Sequence, residues 1–472
     1  MQNVVPEVNN ADDPVGGWQG VPTEMTGVAA LLKRAGYTTR AVGKWDVGMA
    51  TAAHHHPRAR GFDSWTGYWH HANDYWSHAE GPRCDGKAIR DLWHYNATFD
   101  GPMAWEANAP TCSQANQTAA PPAAPCVFEE KLLADTVVGL VENHDAANAS
   151  SPPLFLYWAM HLVHMPLQIP DAYLDRFPAR EYPTEHHRFM LAMVSYMDDE
   201  VGRVVDALAR NHGMLNDTVI TFHADNGGEI LGAGLCGGNN WPLTGGKFSN
   251  FEGGIRVNAF VSGGAIPAAR RGITLSHLGT VWDWYATYAQ GIGGVDPADA
   301  RAEAAGLPPI DSVNHWPYLM GLNATAPRDE IIIGDTTAIN PNADGRTRVG
   351  GVLRADGWKL LLGPPDKLYT VGQYVQTGPN WPNATSHLVP LLHPKTCGRK
   401  AKRGCLFNVF DDPTERLNRA EGEEALFAEM LARVDAVQKS AEVYSPIRGK
   451  PDPKACEVAE EKYGGYWGPF YD

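Results

Sequence analysis

The chain holds 472 residues, 43% hydrophobic and 20% charged, an ordinary globular balance long enough for two or three domains and a large core. A formal net charge of −15, with no Lys/Arg block long enough to form a basic stripe, argues against nucleic acid and an anionic membrane surface as partners. No apolar run approaches the roughly 18 residues that span a bilayer.

In chain order, residues 24–42 read as helix then strand. Val28, Leu31 and Leu32 form a helical face, Gly36 ends it, and Thr38–Val42 is β-branched. Pro153–Met160 is a short apolar run of strand length. Phe189, Met193, Met197, Val201, Val204 and Leu208 then recur at spacings of three and four, predicting one long helix stopped by Gly213. Thr218–Phe222 follows as a buried strand, and Val257–Ser262 as another. Helices alternating with continuous apolar strands predict an α/β fold, a mostly parallel central sheet flanked by helices.

Beyond about residue 340 the texture changes. Val349–Leu353 and Trp358–Leu362 flank Ala355-Asp356-Gly357 as a hairpin, and an amphipathic helix runs over 423–439. The tail from Tyr444 reads as irregular. Residues 1–340 are thus expected to form the larger domain and 341–472 a smaller α+β one. The N-terminus carries no signal-peptide pattern. Six Asn-x-Ser/Thr sequons (Asn96, Asn116, Asn148, Asn216, Asn323, Asn383) nevertheless point to a secretory protein. The seven cysteines contain no Cys-x-x-Cys pair, which favours disulfides over zinc.

Ligands of open α/β sheets bind beyond the carboxyl ends of the strands. Asp225 and Asn226, directly after Thr218–Phe222, offer a carboxylate and an amide oxygen suited to a hard cation such as calcium. Alone, the fragment reads as readily as an Asn-Gly turn with nothing bound. Lys247, among glycines, is placed to hold an anion. Lys44 and His164 also fall just past strand ends, so one binding face would explain all of them together.

The motifs Gly36-Tyr37-Thr38-Thr39, Gly43-Lys44-Trp45, Arg60-Gly61-Phe62-Asp63 and Val163-His164-x-Pro166 occur in order along the chain. With Asp225-Asn226-Gly227-Gly228, Gly238-Asn239-Asn240-Trp241-Pro242-Leu243 and Trp358-Lys359-Leu360, they resemble the sulfatases. The resemblance is to the arylsulfatase B-like branch of the alkaline phosphatase superfamily and spans about residues 20–470. It implies a sulfuric ester hydrolase for sulfated sugars, with Ca²⁺ held by Asp225 and Asn226. Lys44 and Lys247 would hold the sulfate, and His164 would protonate the leaving alcohol.

Two departures stand out. The family's Gly-Lys-Trp-His is here Gly43-Lys44-Trp45-Asp46, so Asp46 would take the proton-accepting role of that histidine and would need a raised pKa. The Cys-x-Pro-x-Arg signature that yields the formylglycine nucleophile is absent. Asp12-Asp13 lies too near Gly36 to replace the family's calcium-binding Asp pair and reads as loop. The chain is therefore expected to begin after its own nucleophile and to show negligible sulfatase activity by itself. The alternatives are a non-catalytic sulfated-glycan binder using Lys44 and Lys247, and a two-zinc phosphodiesterase, against which the lack of a second Asp-His pair counts.

Adjacent histidines point in different directions, which weighs against zinc at His54–His56 or His70-His71. They fall where the family carries a substrate-facing loop, and are expected to shape the sugar or aryl pocket. Cys84 with Cys112 or Cys126 would staple this loop, and Cys397 would pair with Cys405. In the family the cysteine near the C-terminus bonds to one in the N-terminal part, so Cys456 is expected to be left over.

Overall fold

The computed structural model describes residues 8–9, 20–103, 112–115, 117, 126–182, 184–230, 236–247, 249–334, 349–363, 375–376, 389–390, 397–439 and 450–471. Asp12-Asp13 and the sequons at Asn116 and Asn383 lie outside them. Helix α1 (Val28–Arg34) leads into β1 (Thr38–Lys44), as its apolar face and Gly36 predict. Around β1 stand β2 (Ser64–Tyr68), β3 (Trp93–Tyr95) and β4 (Asp100–Pro102) on one side and β5 (Leu154–Ala159) on the other. The order is β4-β3-β2-β1-β5; β2, β1 and β5 are parallel, while β3 and β4 run antiparallel.

Two helices cover this sheet and pack on each other. They are α2 (Glu129–Glu142) and α3 (Glu185–Arg210), the latter carrying the predicted three–four repeat. The next strand, β6 (Ile220–His223), pairs antiparallel with β7 (Ala259–Ser262) and with neither edge of the five-stranded sheet. No residue of β5 or β6 is fully buried. The expectation of a fully buried strand at Thr218–Phe222 is therefore corrected. Among the described residues β6 pairs with β7 alone, and its residues also line an open cavity.

After the short helix α4 (Glu252–Ile255), a second sheet forms from β8 (Glu330–Gly334), β9 (Val349–Arg354), β10 (Trp358–Leu361) and β11 (Cys405–Asn408), all antiparallel. It takes its edge strand from before residue 340, and α5 (Glu424–Lys439) packs on it through Phe427, Met430, Val434 and Val437. The tail is ordered where it is described. Helix α6 (Pro453–Glu461), Trp467 and Phe470 return to the tryptophan-rich core of the first sheet, beside Trp45, Trp65, Trp69 and Trp93.

Three disulfides form: Cys84–Cys456, Cys112–Cys126 and Cys397–Cys405. Only the third agrees with the sequence reading: Cys84 goes to the C-terminal tail, and Cys112 and Cys126, each expected as a partner for Cys84, pair with one another. The cysteine outside the disulfides is Cys236, whose Sγ lies 3.9 Å from Met165 Sδ; Cys456 is not the one left over.

Gly43 shows how closely the sheet is built near its working end. Its φ is 93°, and a Cβ there would lie 2.0 Å from the carbonyl oxygen of Ala159, its partner on β5. Backbone cannot yield cheaply, so Gly43→Ala is expected to part β1 from β5 and cost at least about 2 kcal/mol in urea unfolding. A cost below about 0.5 kcal/mol would refute this account of the contact.

Candidate active site

Lys44 ends β1, His164 lies in the turn that follows β5, and Asp225 and Asn226 follow β6. The structure brings these residues together with Lys247 around one cavity of about 2120 Å³. The tightest contact is Lys247 Nζ to His164 Nε2, 3.0 Å. His164 Nδ1 stands 2.8 Å from the Met165 carbonyl, which can only accept, so Nδ1 carries the proton and Nε2 accepts from the ammonium.

Burial lowers His164 to about 3, helped by the positive charge of Lys247. Burial and Lys44 in turn lower Lys247. Two neighbouring cations and a neutral imidazole lining one cavity offer the chemistry to hold an anion.

The loops carrying Asp225 and Lys247 are joined by glycine backbones. Lys247 N–H donates to Gly228 O (3.1 Å), Asn240 holds both N–H and C=O of Gly228 (2.8 Å each), and Gly227 N–H donates to Gly254 O (3.0 Å). A Cβ on Gly227 would fall 1.7 Å from Gly253 O, which explains the glycine run by close approach.

The Asp225 carboxylate is exposed to the cavity, and Asn226 Nδ2 donates to Gly227 O at 3.0 Å, leaving its Oδ1 as an acceptor. This donor chemistry fits a hard cation. It supplies two of the six to eight oxygens calcium takes, and no group of three or more His, Cys, Asp or Glu ligands forms among the described residues. Substrate oxygens, water or other protein oxygens would have to supply the rest.

Sequence reasoning missed what holds the His164 turn. Buried Glu130, at the start of α2, accepts from the backbone N–H groups of His161 and of Leu162 (3.1 Å). Its neighbour Glu129 meets His161 Nδ1 at 2.9 Å and Asn73 Nδ2 at 2.9 Å. Tyr75 stacks on His161, ring centroids 4.0 Å apart, and donates its hydroxyl to His164 O at 2.9 Å. An acidic pair opening a helix looks like a solvated complement to the helix dipole, so nothing in the sequence announces its burial.

Burial, reinforced by Glu129, pushes Glu130 up to about 8. A carboxyl whose folded pKa lies above its unfolded one adds stability that is complete at acidic pH and lost as pH rises through about 8. Glu129 and Glu415, both pushed up to about 7, act in the same direction. Unfolding free energy is therefore expected to fall as pH rises from the ordinary carboxyl value of 4.5 towards about 8 and to level off above it, and Glu130→Gln to flatten that slope. An equal slope in the variant would sink this assignment.

Asp46 does not line the cavity. It occupies the left-handed region (φ 50°), and its carboxylate meets His71 Nδ1 at 2.9 Å. Of the histidine clusters, His55 is buried against Thr51, His56 against Asp100 and four aromatic rings, and His70 against Asp91. These three are core histidines and do not shape a pocket; His71 alone of the cluster reaches a candidate site residue. His54 is exposed.

A family model described as Sulfatase matches residues 2–290. Among curated proteins, mouse arylsulfatase J is 27% identical over 465 residues, covering 96% of this chain and 67% of that protein. Pig N-acetylgalactosamine-6-sulfatase is 30% identical over 288 residues, covering 60% and 48%. The chain thus spans about two thirds of the first relative and about half of the second. Among solved structures, Ps i-CgsB in complex with k-i-k-neocarrahexaose superposes with a TM-score of 0.63 at 22% identity, covering 94% of this chain and 80% of that one. The PsFucS1 sulfatase from Pseudoalteromonas sp. gives 0.58 at 18%, covering 95% and 75%.

Proposed function

This chain belongs to the sulfatase family, and from that premise we propose that it serves the hydrolysis of sulfate esters, with sulfated sugars as the substrate class. The observation that carries the reading is the Lys247–His164 contact of 3.0 Å, with Lys44, Asp225 and Asn226 around the same cavity. Lys44 and Lys247 hold the sulfate oxygens and offset charge that develops on them. The bound anion restores basicity to His164, whose Nε2 then carries a proton to the departing sugar oxygen. Asp225 and Asn226 would hold calcium, which when bound would polarise the sulfate. Asp46, the proton acceptor by resemblance, is turned to His71 away from the cavity lining and is given no part in this reading. The name N-acetylgalactosamine-6-sulfatase, borne by relatives, points to a sulfated sugar.

No Cys-x-Pro-x-Arg signature occurs in the 472 residues, so binding, orientation and proton movement are the roles assigned to them. Three disulfides support a secretory compartment, as do the exposed sequons at Asn148, Asn216 and Asn323. Among the described residues no helix is long and apolar enough to cross a membrane.

Titration with sodium sulfate and calcium tests the reading. Sulfate is expected to bind, more tightly at low ionic strength, and to raise the His164 imidazole titration, followed by NMR, by about one pH unit or more. No binding, or an unmoved His164, would refute it. Turnover of a chromogenic aryl sulfate above a Lys247→Ala control would show that the chain needs no such signature. Tight glycan binding with no turnover in any form of the protein would favour the binder.

A further inference from the structure

The second sheet sends one charged side chain into the interior. Lys359 on β10 is fully buried, with its ammonium 2.9 Å from Glu252 Oε1 and 2.8 Å from Glu415 Oε1. Glu252 is the first residue of α4, and its backbone N–H donates to Glu415 Oε2 at 2.6 Å. Glu415 holds φ at 54°, a left-handed conformation uncommon for glutamate.

From α4 the connections lead directly to the anion site. Gly253 N–H donates to Thr244 O (2.7 Å), and Thr244 Oγ1 donates to Thr414 O (2.5 Å). Gly254 O accepts from Gly227, two residues after Asp225, while Asn240 clamps Gly228 and Gly245 on either side of the Lys247 loop. Both loops of the site thus rest on α4, and α4 is pinned to the second sheet by Lys359.

We propose that Lys359 is a positioning residue for Lys247: by gripping Glu252 and Glu415 it fixes α4, and through the stacked glycine backbones it sets the Lys247 ammonium against His164. The small sheet is then part of the anion site's geometry, although none of its strands touches the cavity. The inference rests on the sulfate-binding reading for its functional meaning but not for its geometry.

A charge-free version of the triad, Lys359→Met with Glu252→Gln and Glu415→Gln, removes the grip without stranding a buried charge. Such replacements are often neutral for folding. Two readouts apply: sulfate affinity, and the ¹³C-methyl signal of reductively methylated Lys247, a label that keeps the lysine charge. The signal is assigned by its loss in Lys247→Ala.

The expected result is a folded protein whose sulfate affinity falls about tenfold, the low end for partners that orient a binding group. Its Lys247 signal sharpens and moves toward that of an exposed lysine. Thr244→Val, which cuts only the parallel tie, is expected to move both readouts less and in the same direction, and it serves if the triple variant does not fold. Unchanged affinity and an unchanged signal in a folded variant overturn the positioning role and leave the sulfate reading standing. A displaced Lys247 signal in a protein that never binds sulfate upholds the positioning and removes the proposed function.

Discussion

Lys247→Ala is expected to weaken sulfate binding by about two orders of magnitude, roughly 2.7 kcal/mol. The estimate follows from what the side chain gives. Charge-assisted hydrogen bonds contribute roughly twice what neutral ones do, and the Lys247 ammonium, already partly desolvated, has given up much of its water before the anion arrives. Its loss leaves Lys44 as the remaining cation of the predicted pair. The same substitution relieves His164, which is held at about 3 by burial first and by Lys247 second. Its titration in the free protein is expected to rise, though not to the ordinary imidazole value, because burial persists. Lys247→Arg should recover only part of the affinity, since a planar guanidinium cannot reproduce the single Nζ–Nε2 contact of 3.0 Å. Isothermal titration of the three proteins decides the matter. Equal affinity in wild type and Lys247→Ala would place the sulfate elsewhere.

Lys359→Met alone is expected to be the most destabilising single change, at about 3–5 kcal/mol in denaturant unfolding. Burial works against the ammonium, but Glu252 and Glu415 outweigh it and hold its pKa up. Removing the cation strands two carboxylates in an interior where side-chain exposure is 5% for Glu252 and 0% for Glu415. One of them must take up a proton, so the deficit is expected to shrink on acidification. A loss below about 1 kcal/mol at pH 7, or one independent of pH, would contradict the buried-triad account.

Much of this architecture was legible from periodicity. The long amphipathic helix, the hairpin around Asp356 and the helix–strand unit from Val28 are local patterns, and local patterns survive in sequence. The site was legible in a different way, as chemistry-bearing residues repeatedly placed just past strand ends. Lys44, His164, Asp225, Asn226 and Lys247 do share one cavity. What the sequence withheld was long-range partnership. Glu129 and Glu130 look like solvent-facing acids, and Lys359 looks like a surface residue of a hairpin. Each is buried because a partner 32 to 107 residues away comes to meet it. Asp46 could be placed by its motif, but its turn toward His71 depends on a left-handed backbone that no pattern encodes. Cys84 was close to an attractive local partner, and only the return of the tail to the first core shows why Cys456 takes it.

That crosslink also governs what proteolysis can do. Cys84 and Cys456 lie 372 positions apart, so residues 84 to 456 close into one covalent ring, with α1, β1 and β2 on the segment before it. A single cut at any exposed loop inside the ring opens it without releasing anything. The nicked molecule keeps its mass on a non-reducing gel and separates into fragments only when a reductant is added. A protease can therefore process such a chain internally while both sheets stay on one molecule.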